Sequence, residues 1–359
     1  MAVLQRVDDQ EAPARPRHPL LSGAVAVLVP FVVSRLLADV LVVALSRHAQ
    51  WPFWRRFGVW DGRWYRHIAQ SGYPGLIGHH HQTGWAFFPL LPIVMSIGHA
   101  LGAHLVATGV VANHLAFFVG LVGFHRLLSR RCSPTATSLA VWTLALFPAS
   151  IVFSMVYPSA MFFAASVWAF VLLDEHRDLA AGGCAALATM ARPNGFWIVV
   201  ALALVVGLDR ARLVRVCLAP CIALLAWLGY NQLRTGDPLR FWDAKAAWHE
   251  VTFLGLFGHV HLDALVHLAL AALAVGLVLS RRSRIPRAWT AFTVLYVVPS
   301  LVLGIVGAGR YANECFPPFA VAGTLLERRS VATRAMVFMA LVVAQVAFAY
   351  WILDVGHVP

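Results

Sequence analysis

One short polar stretch carries most of the residue types in this sequence that can do chemistry. Residues 60–74 read Trp-Asp-Gly-Arg-Trp-Tyr-Arg-His-Ile-Ala-Gln-Ser-Gly-Tyr-Pro and follow the first long apolar segment. A carboxylate such as Asp61 can act as a general base when it lies within hydrogen-bond reach of a hydroxyl. The basic and aromatic residues around it, which are candidates to bind substrate, are Trp60, Arg63, Trp64, Tyr65 and His67. Acidic, basic and aromatic groups gathered beside a membrane segment are typical of a site for a polar headgroup.

The same stretch has a purely structural interpretation. Residues 60–70 have helical spacing, and the aromatic rings of an amphipathic helix can anchor at headgroup level. Asp61 would then only neutralise Arg63 or Arg66. Composition alone leaves both interpretations open.

The composition is that of an integral membrane protein. Of the 359 residues, 60% are hydrophobic and 12% are charged, whereas soluble domains carry about a quarter charged residues. The net charge of +12 is spread over short clusters between apolar runs, as is typical of topology determinants. We therefore expect membrane lipids as partners of the basic residues, and no nucleic acid.

The apolar pattern predicts an all-α polytopic bundle. Residues 1–19 are expected to form a disordered cytoplasmic tail, and residues 20–359 a single membrane domain of about 11 transmembrane helices. The run 87–103 is expected to be an interfacial or re-entrant helix rather than a crossing. The predicted apolar segments lie at 20–46, 105–128, 136–156, 158–173, 179–193, 195–208, 213–233, 257–280, 287–307, 313–326 and 332–353.

The basic clusters set the expected orientation of this bundle. With the N-terminus in the cytoplasm, the clusters at 126–131, 210–215, 281–287 and 328–334 all face the cytoplasm, as the positive-inside rule requires. Residues 47–86 then form a first outer loop, and residues 234–256 form a second.

The same orientation places the remaining isolated polar residues on the outer side. Besides the two outer loops, they are Tyr157, the turn at 192–195 and the segment 309–311. Convergence on one face is what an active site formed from several loops requires. Further candidates to bind substrate in these segments are Tyr157, Asn194, Asp237, Trp248 and Tyr311.

Two arginines in these segments are candidate phosphate ligands. The planar guanidinium of Arg192 or Arg310 suits a phosphate group. The alternative is an arginine at a membrane boundary that snorkels or pairs with an acid. For Arg310 that acid would be Glu314, four residues further along the chain.

Two other clusters have structural explanations. Adjacent histidines at 79–81 cannot all point at one ion, so we expect a solvated loop and no metal site. Arg35 and Asp39 are four residues apart within the first span and are expected to pair on one helix face.

The order of motifs resembles one enzyme family. Trp60-Asp61-x-x-Trp64-Tyr65-x-x-Ile68-Ala69-x-x-Gly72-Tyr73 and Ala86-Phe87-Phe88-Pro89-Leu90-x-Pro92 resemble the PIG-V-like mannosyltransferases. The resemblance covers most of the chain, and the first two motifs are the specific ones. Supporting matches are Phe147-Pro148-Ala149, Arg192-x-Asn194-Gly195, Gly236-Asp237-Pro238-Leu239 with Trp248, and Arg310-Tyr311 before Pro317.

The resemblance implies a GT-C-type membrane glycosyltransferase, here of a bacterial plasma membrane. It implies a polyprenyl-phosphate sugar donor, a lipid or glycan acceptor, and Asp61 as catalytic base in the first outer loop. Arg192 and Arg310 would stabilise the donor phosphate, and neither a cofactor nor a metal would be required. The expected reaction is an inverting transfer of mannose, or another hexose, to a hydroxyl.

The sequence departs from the family pattern at one acid. The family usually has Tyr-x-Glu where this chain has Tyr157-Pro158-Ser159. A catalytically inactive relative that binds polyprenyl lipid therefore stays an alternative. A secondary transporter is another, although transporters place ionisable groups near the bilayer midplane and often show inverted repeats.

Overall fold

A computed structural model describes residues 19–46, 50–74, 82–247, 262–280, 282–303 and 307–355. Most of these residues are helical and none forms a strand, which confirms the predicted all-α class. The predicted tail, except its last residue, lies outside the described residues, as do the histidines at 79–81 and Trp248.

Fifteen α-helices follow one another in the described ranges. They are α1 (Pro19–Leu45), α2 (Asp61–Ser71), α3 (Leu90–Ala100), α4 (Leu105–Ser129), α5 (Pro134–Ala145), α6 (Ser159–Asp174), α7 (Asp178–Ala191), α8 (Trp197–Val206), α9 (Arg210–Thr235), α10 (Arg240–Ala246), α11 (Leu262–Leu279), α12 (Arg287–Leu303), α13 (Ala308–Glu314), α14 (Pro317–Glu327) and α15 (Val331–Tyr350). Short 3-10 helices at Phe53–Gly58, Gly84–Ala86, Pro148–Phe153 and Pro193–Phe196 connect several of them.

Four of the described helices are long and apolar enough to cross a membrane. They span Leu21–Leu45, Leu105–Ser129, Arg210–Thr235 and Val331–Asp354. Several shorter apolar helices pack between them, and the predicted total of about 11 crossings stays a prediction. Helix α3 has 11 residues and rises about 16 Å, which is too short to cross the ~30 Å hydrocarbon core.

The core is an aromatic-rich contact between neighbouring helices. Helix α6 packs on both α4 and α7, α7 packs on α9, and α5 packs on α14. The Phe117 and Phe153 rings stack with centroids 4.5 Å apart, and Phe163 lies against both. This packing fixes the relative positions of α4, α6 and α7, and polar residues described below lie at the ends of α6 and α7.

The predicted segment 136–156 is not one helix. Helix α5 ends at Ala145, and the 3-10 helix Pro148–Phe153 follows. Pro148 has no N–H to continue the α-helical ladder, which explains the break. The buried Asn113 of α4 replaces lost helical partners: its amide nitrogen donates to the carbonyls of Met155, at 2.5 Å, and Tyr157, at 2.8 Å.

The first loop is fastened to this broken segment. The backbone N–H of Val156 donates to the carbonyl of Phe57, at 2.9 Å. A Cβ on Gly62, the second residue of α2, would lie 3.4 Å from the Val156 carbonyl oxygen, so α2 starts close against the same segment. The helix break therefore provides the surface on which α2 is seated.

Arg35 of α1 also supports the broken segment. Its guanidinium donates to the Ser150 carbonyl and to the Ser154 hydroxyl, both at 3.0 Å. Asp39 instead lies 3.1 Å from the imidazole of His114. The predicted Arg35–Asp39 pairing is therefore wrong, because each side chain finds a partner on a neighbouring element.

Acidic residues around the α6–α7 connection form ion pairs with arginines of two of the basic clusters. Glu175 pairs with Arg126 and Arg130, with N–O distances of 2.7 and 2.6 Å. Asp178 pairs with Arg212, at 2.9 Å, and with Arg215. These ion pairs hold the ends of α4 and α6 and the starts of α7 and α9 together.

The close contact of α7 with α9 yields a stability prediction. A Cβ on Gly182 would lie 2.7 Å from the Val216 carbonyl oxygen and 2.8 Å from that of Arg215. Because neither backbone atom can rotate away, Gly182→Ala should lower the free energy of unfolding by about 1–3 kcal/mol. Thermal or denaturant unfolding of the protein in mild detergent measures this change.

The adjacent glycine is the matched control. A Cβ on Gly183 would meet no atom within 4 Å, so Gly183→Ala should be neutral or stabilise α7 by about 0.5–1 kcal/mol. Equal destabilisation by the two substitutions would contradict the described α7–α9 contact.

Candidate active site

Asp61 begins α2, and the residue before it has an unusual backbone. Trp60 has φ 53° and ψ −124°, a conformation that costs a non-glycine residue about 1–3 kcal/mol. Its indole N–H donates to the Ile352 carbonyl, at 3.1 Å, which anchors the turn to the C-terminal helix. The Asp61 N–H donates to the Tyr157 hydroxyl, at 3.3 Å, so both sides of the turn are held.

The partner of Asp61 comes from the far end of the chain. Arg310 Nη1 lies 2.9 Å from Asp61 Oδ2, and this arginine is 5% exposed. The arginine also lies over the Tyr157 ring, with Cζ 4.8 Å from the centroid. Asp61 therefore does not serve to neutralise Arg63 or Arg66. Its side chain keeps 19% of its surface exposed, and Oδ1 makes no hydrogen bond with the described residues.

A second buried ion pair lies beside the first. Arg192 Nη2 is 2.5 Å from Glu314 Oε1, and the glutamate is fully buried. The same nitrogen donates to the Ser159 hydroxyl, at 2.8 Å. The other oxygen of Glu314 accepts a short hydrogen bond from the Tyr296 hydroxyl. The predicted pairing of Glu314 with Arg310 is therefore wrong, because Asp61 holds Arg310 and Glu314 turns to Arg192.

Tyr311 lies between the two guanidinium groups. Its ring centroid is 5.1 Å from Cζ of Arg192 and 5.6 Å from Cζ of Arg310. Burial raises the pKa of Tyr311, but the positive charge of Lys245, together with that of both arginines, brings it below the ordinary tyrosine value. With two carboxylates against two arginines and this lysine, the cluster has one excess positive charge.

Both arginines keep unused donors. The Nε atoms of Arg192 and Arg310 are buried and have no hydrogen-bond partner among the described residues. Leaving a buried donor without a partner costs about 1–3 kcal/mol. Binding of a hydrogen-bond acceptor next to these Nε atoms would therefore be favourable. Oxygen-rich anions are the acceptors that guanidinium groups bind best.

Comparison with known proteins identifies this architecture. No protein-family model matches the sequence, and no curated protein matches it. The crystal structure of the Archaeoglobus fulgidus oligosaccharyltransferase in the apo form matches with a TM-score of 0.51 at 12% identity. The match covers 92% of this chain and 56% of that enzyme, so the chain spans little more than half of its length.

The fold is GT-C-like and similar to that of this oligosaccharyltransferase. Two further structures of the Archaeoglobus enzyme match less well. The one tethered with an acceptor peptide has a TM-score of 0.47, at 12% identity, and covers 92% of this chain and 55% of that one. The one in complex with an inhibitory peptide and a dolichol-phosphate has a TM-score of 0.44, at 12% identity, with 92% and 56% covered.

Several other predicted site residues lie on or next to the elements that carry the two ion pairs. Tyr157 is completely buried under Arg310. Trp64 stacks on Phe87 with centroids 5.9 Å apart, and Tyr65 meets the same ring edge-on. Asn194 donates to the backbone carbonyl of Tyr296, at 3.4 Å.

Other predicted residues are not brought to this cluster. Arg63 and His67 are exposed on α2, and Arg63 lies near the Trp51 ring, 5.5 Å from its centroid. The Asp237 carboxylate accepts a hydrogen bond from the Leu239 N–H, at 2.8 Å, and so stabilises its own turn. The helical period explains why Arg63 and His67 do not reach the cluster, because they lie on a different face of α2 from Asp61.

Besides Glu314, which was expected only as a partner of Arg310, four residues of the cluster escaped prediction as site residues. Ser159 and Tyr296 hold the Arg192–Glu314 pair, Asn113 fixes the Tyr157 backbone, and the positive charge of Lys245 lowers the pKa of Tyr311. Lys245 carries a sequence signal, since it is the chain's single lysine among 28 basic residues. The others are ordinary polar residues within apolar helices, a pattern that does not separate site residues from packing residues.

The buried Arg192–Glu314 pair yields a second stability prediction. Arg192→Met leaves the Glu314 carboxylate buried without its cation, and such losses cost about 3–5 kcal/mol. Adding Glu314→Gln removes that charge while keeping an acceptor for Tyr296, so the double variant should recover most of the loss. Unfolding midpoints of the two single variants and the double variant, in one detergent, test this coupling. Additive losses in the double variant would contradict the pairing.

Proposed function

We propose that this chain is an inverting glycosyltransferase that uses a polyprenyl-phosphate sugar. In the proposed reaction it moves a mannosyl, or another hexosyl, residue to a hydroxyl of a lipid or glycan acceptor. The observation that carries the proposal is the Asp61–Arg310 pair, which leaves one carboxylate oxygen unbound next to a cationic cluster. The motif resemblance and the GT-C fold both favour this chemistry.

The proposed base is the unbound oxygen of Asp61. The acceptor O–H donates its proton to Asp61 Oδ1 as the acceptor oxygen attacks the anomeric carbon. The bond between that carbon and the phosphate oxygen breaks, and the lipid phosphate leaves with the electron pair. A single displacement of this kind inverts the anomeric configuration. Arg310 would orient the carboxylate through Oδ2, and Tyr157 would orient it through the backbone N–H of Asp61.

The proposed phosphate site is formed by the remaining donors of Arg192 and Arg310. Their guanidinium groups flank Tyr311 and keep buried N–H groups without partners. Lys245 would add a third positive charge. Donors fixed in a buried site stabilise the charge of a departing phosphate without needing to reorganise. The leaving group is part of the donor, so the proposal requires no metal or cofactor.

The missing acid of the family motif has a proposed substitute. Ser159 stands where the family has glutamate, and its hydroxyl accepts a hydrogen bond from Arg192 Nη2. That nitrogen also donates to Glu314, which comes from α13 instead of α6. We propose that Glu314 supplies the negative charge that balances Arg192, which favours an active enzyme over an inactive relative.

The proposed location is the outer face of a bacterial plasma membrane, with the N-terminus in the cytoplasm. The distribution of basic residues supports this orientation, because the basic clusters lie in the connections expected to face the cytoplasm and not in the two expected outer loops. We propose that residues 47–86 and 234–256 are the two outer loops that enclose the reaction.

Asp61→Asn tests the proposed base. The amide cannot accept the proton, so transfer should fall at least about a hundredfold. Purified protein in lipid is given radiolabelled polyprenyl-phosphate-mannose and a membrane lipid extract, and label in the acceptor fraction is counted. Asp209→Asn is the matched control, because asparagine caps α9 as well as the aspartate that it replaces.

Three outcomes would oppose the proposal. Equal transfer by the wild type and Asp61→Asn would remove Asp61 as base. Substrate flux into the vesicle without sugar transfer would indicate a transporter. Retention of labelled donor by both forms without any transfer would indicate a lipid-binding protein.

Tyr157→Phe tests the orientation of Asp61. Phenylalanine keeps the ring beneath Arg310 but removes the oxygen that accepts the Asp61 N–H. The turnover number should fall about fivefold, because an orienting hydrogen bond contributes about 1 kcal/mol. The unfolding midpoint and the KM for the donor should change little. A change in KM alone would contradict an orienting role for Tyr157.

A further inference from the structure

A second cationic site lies away from Asp61. A cavity of about 210 Å³ opens where the end of α4, the start of α5, the segment before α12 and the end of α14 meet. Helix α14 starts three residues after Glu314 and has 11 residues, so it rises about 16 Å towards this cavity. The cavity is therefore separate from the two ion pairs of the candidate active site.

The cavity wall has a large excess of positive charge. Four arginines line it, from three of the basic clusters in the sequence, against a single acid, Glu327: Arg131, Arg282, Arg284 and Arg328. Asp174 neutralises only the first of these arginines, and Glu327 accepts a short hydrogen bond from Ser133. The other three are exposed and form no ion pair with the described residues.

A helix terminus adds to this positive field. Ser133 caps α5, accepting the Ala136 N–H at 3.1 Å, and both residues line the cavity. The positive end of the α5 dipole therefore points at the space that the arginines enclose. Several guanidinium groups around a helix N-terminus are the donors that proteins use to bind phosphate.

The remainder of the wall is apolar. Trp289 is 3% exposed, and Arg131 lies over its ring, with Cζ 5.3 Å from the centroid. Ile285, Pro286 and Leu325 continue this surface. A site with an apolar wall and a cationic mouth suits an anion joined to a hydrocarbon chain.

We propose that this cavity binds a phosphate group, as carried by an anionic phospholipid headgroup or by free phosphate. The three unpaired arginines supply the charge, and the apolar wall favours the lipid as the source. Binding here would hold together α4, α5, α12 and α14, which meet at the cavity. The proposal does not depend on the proposed sugar transfer, because no residue of the candidate active site takes part.

Cys132 provides a direct readout, since it lines the cavity and its thiol is free. The full chain is placed in phosphatidylcholine nanodiscs, and alkylation of Cys132 by N-ethylmaleimide is followed by peptide mass spectrometry. One arm adds increasing fractions of phosphatidylglycerol, and a second arm adds inorganic phosphate instead. We expect phosphatidylglycerol to slow alkylation in a saturable way. Protection by inorganic phosphate as well would also support the site and would identify a free anion as a sufficient ligand.

Two double variants with equal loss of charge separate this site from general surface attraction. Arg284→Gln/Arg328→Gln removes two arginines of the cavity wall. Arg287→Gln/Arg329→Gln removes two exposed arginines of the same clusters that do not line it. The first should need about tenfold more ligand for half-protection, because it loses charge-assisted hydrogen bonds. The second should match the wild type.

Further controls test whether the variants fold normally and whether charge at the cavity is what protects Cys132. Both double variants should alkylate at the wild-type rate in pure phosphatidylcholine and unfold at the wild-type midpoint, because all four side chains are exposed. Arg284→Lys/Arg328→Lys, which keeps the charge, should retain most of the protection. An equal response of the two glutamine variants, or no protection by either ligand in the wild type, would overturn the proposal.

Discussion

Paired charges buried inside an apolar bundle are the constraint on which the rest of this structure depends. A lone arginine or carboxylate among hydrocarbon side chains is very unfavourable, so every such group must meet a partner at close range. Asp61 with Arg310 and Arg192 with Glu314 satisfy this requirement side by side. The backbone around them is arranged to make these contacts possible. Helix α5 stops early, α2 starts from a strained residue, and the short helix α13 contributes Arg310 and Glu314 from one face.

The class of fold was predictable because it depends on composition. Long apolar runs with few charges leave a helical bundle as the available solution, since each backbone donor must be satisfied internally. The helix at 61–71 was also predictable from its periodicity. Helix breaks were harder to predict. Pro148 ends a run that hydropathy treats as continuous, whereas Pro30 and Pro220 lie within helices that continue. Proline identity alone does not decide between these outcomes, because neighbouring helices determine whether the lost hydrogen bond is replaced.

Only part of the candidate site was predictable as individual residues, and its ion pairs were not predictable. The orientation expected from the basic clusters placed Asp61, Tyr157, Arg192 and Arg310 on one side, and the structure brings these four side chains close together. That expected orientation did not indicate which acid pairs with which arginine. Glu314 is four residues from Arg310, which suggested a pair within one helix, yet each of these residues binds a group from another element. Pairing depends on packing distances of a few ångströms, which a one-dimensional pattern does not contain.

The Asp61–Arg310 contact joins residues separated by 249 positions, and the Trp60–Ile352 hydrogen bond joins residues separated by 292. A ribosome adding about 5–20 residues per second therefore needs roughly 10–50 s after Asp61 to deliver Arg310. During that interval Asp61 lies in an incomplete bundle that does not yet contain Arg310. Biogenesis consequently passes through a stage in which the first helices are inserted but this centre is incomplete. The Asp61–Arg310 pair can therefore form only after α13 has been made and has packed against the start of α2.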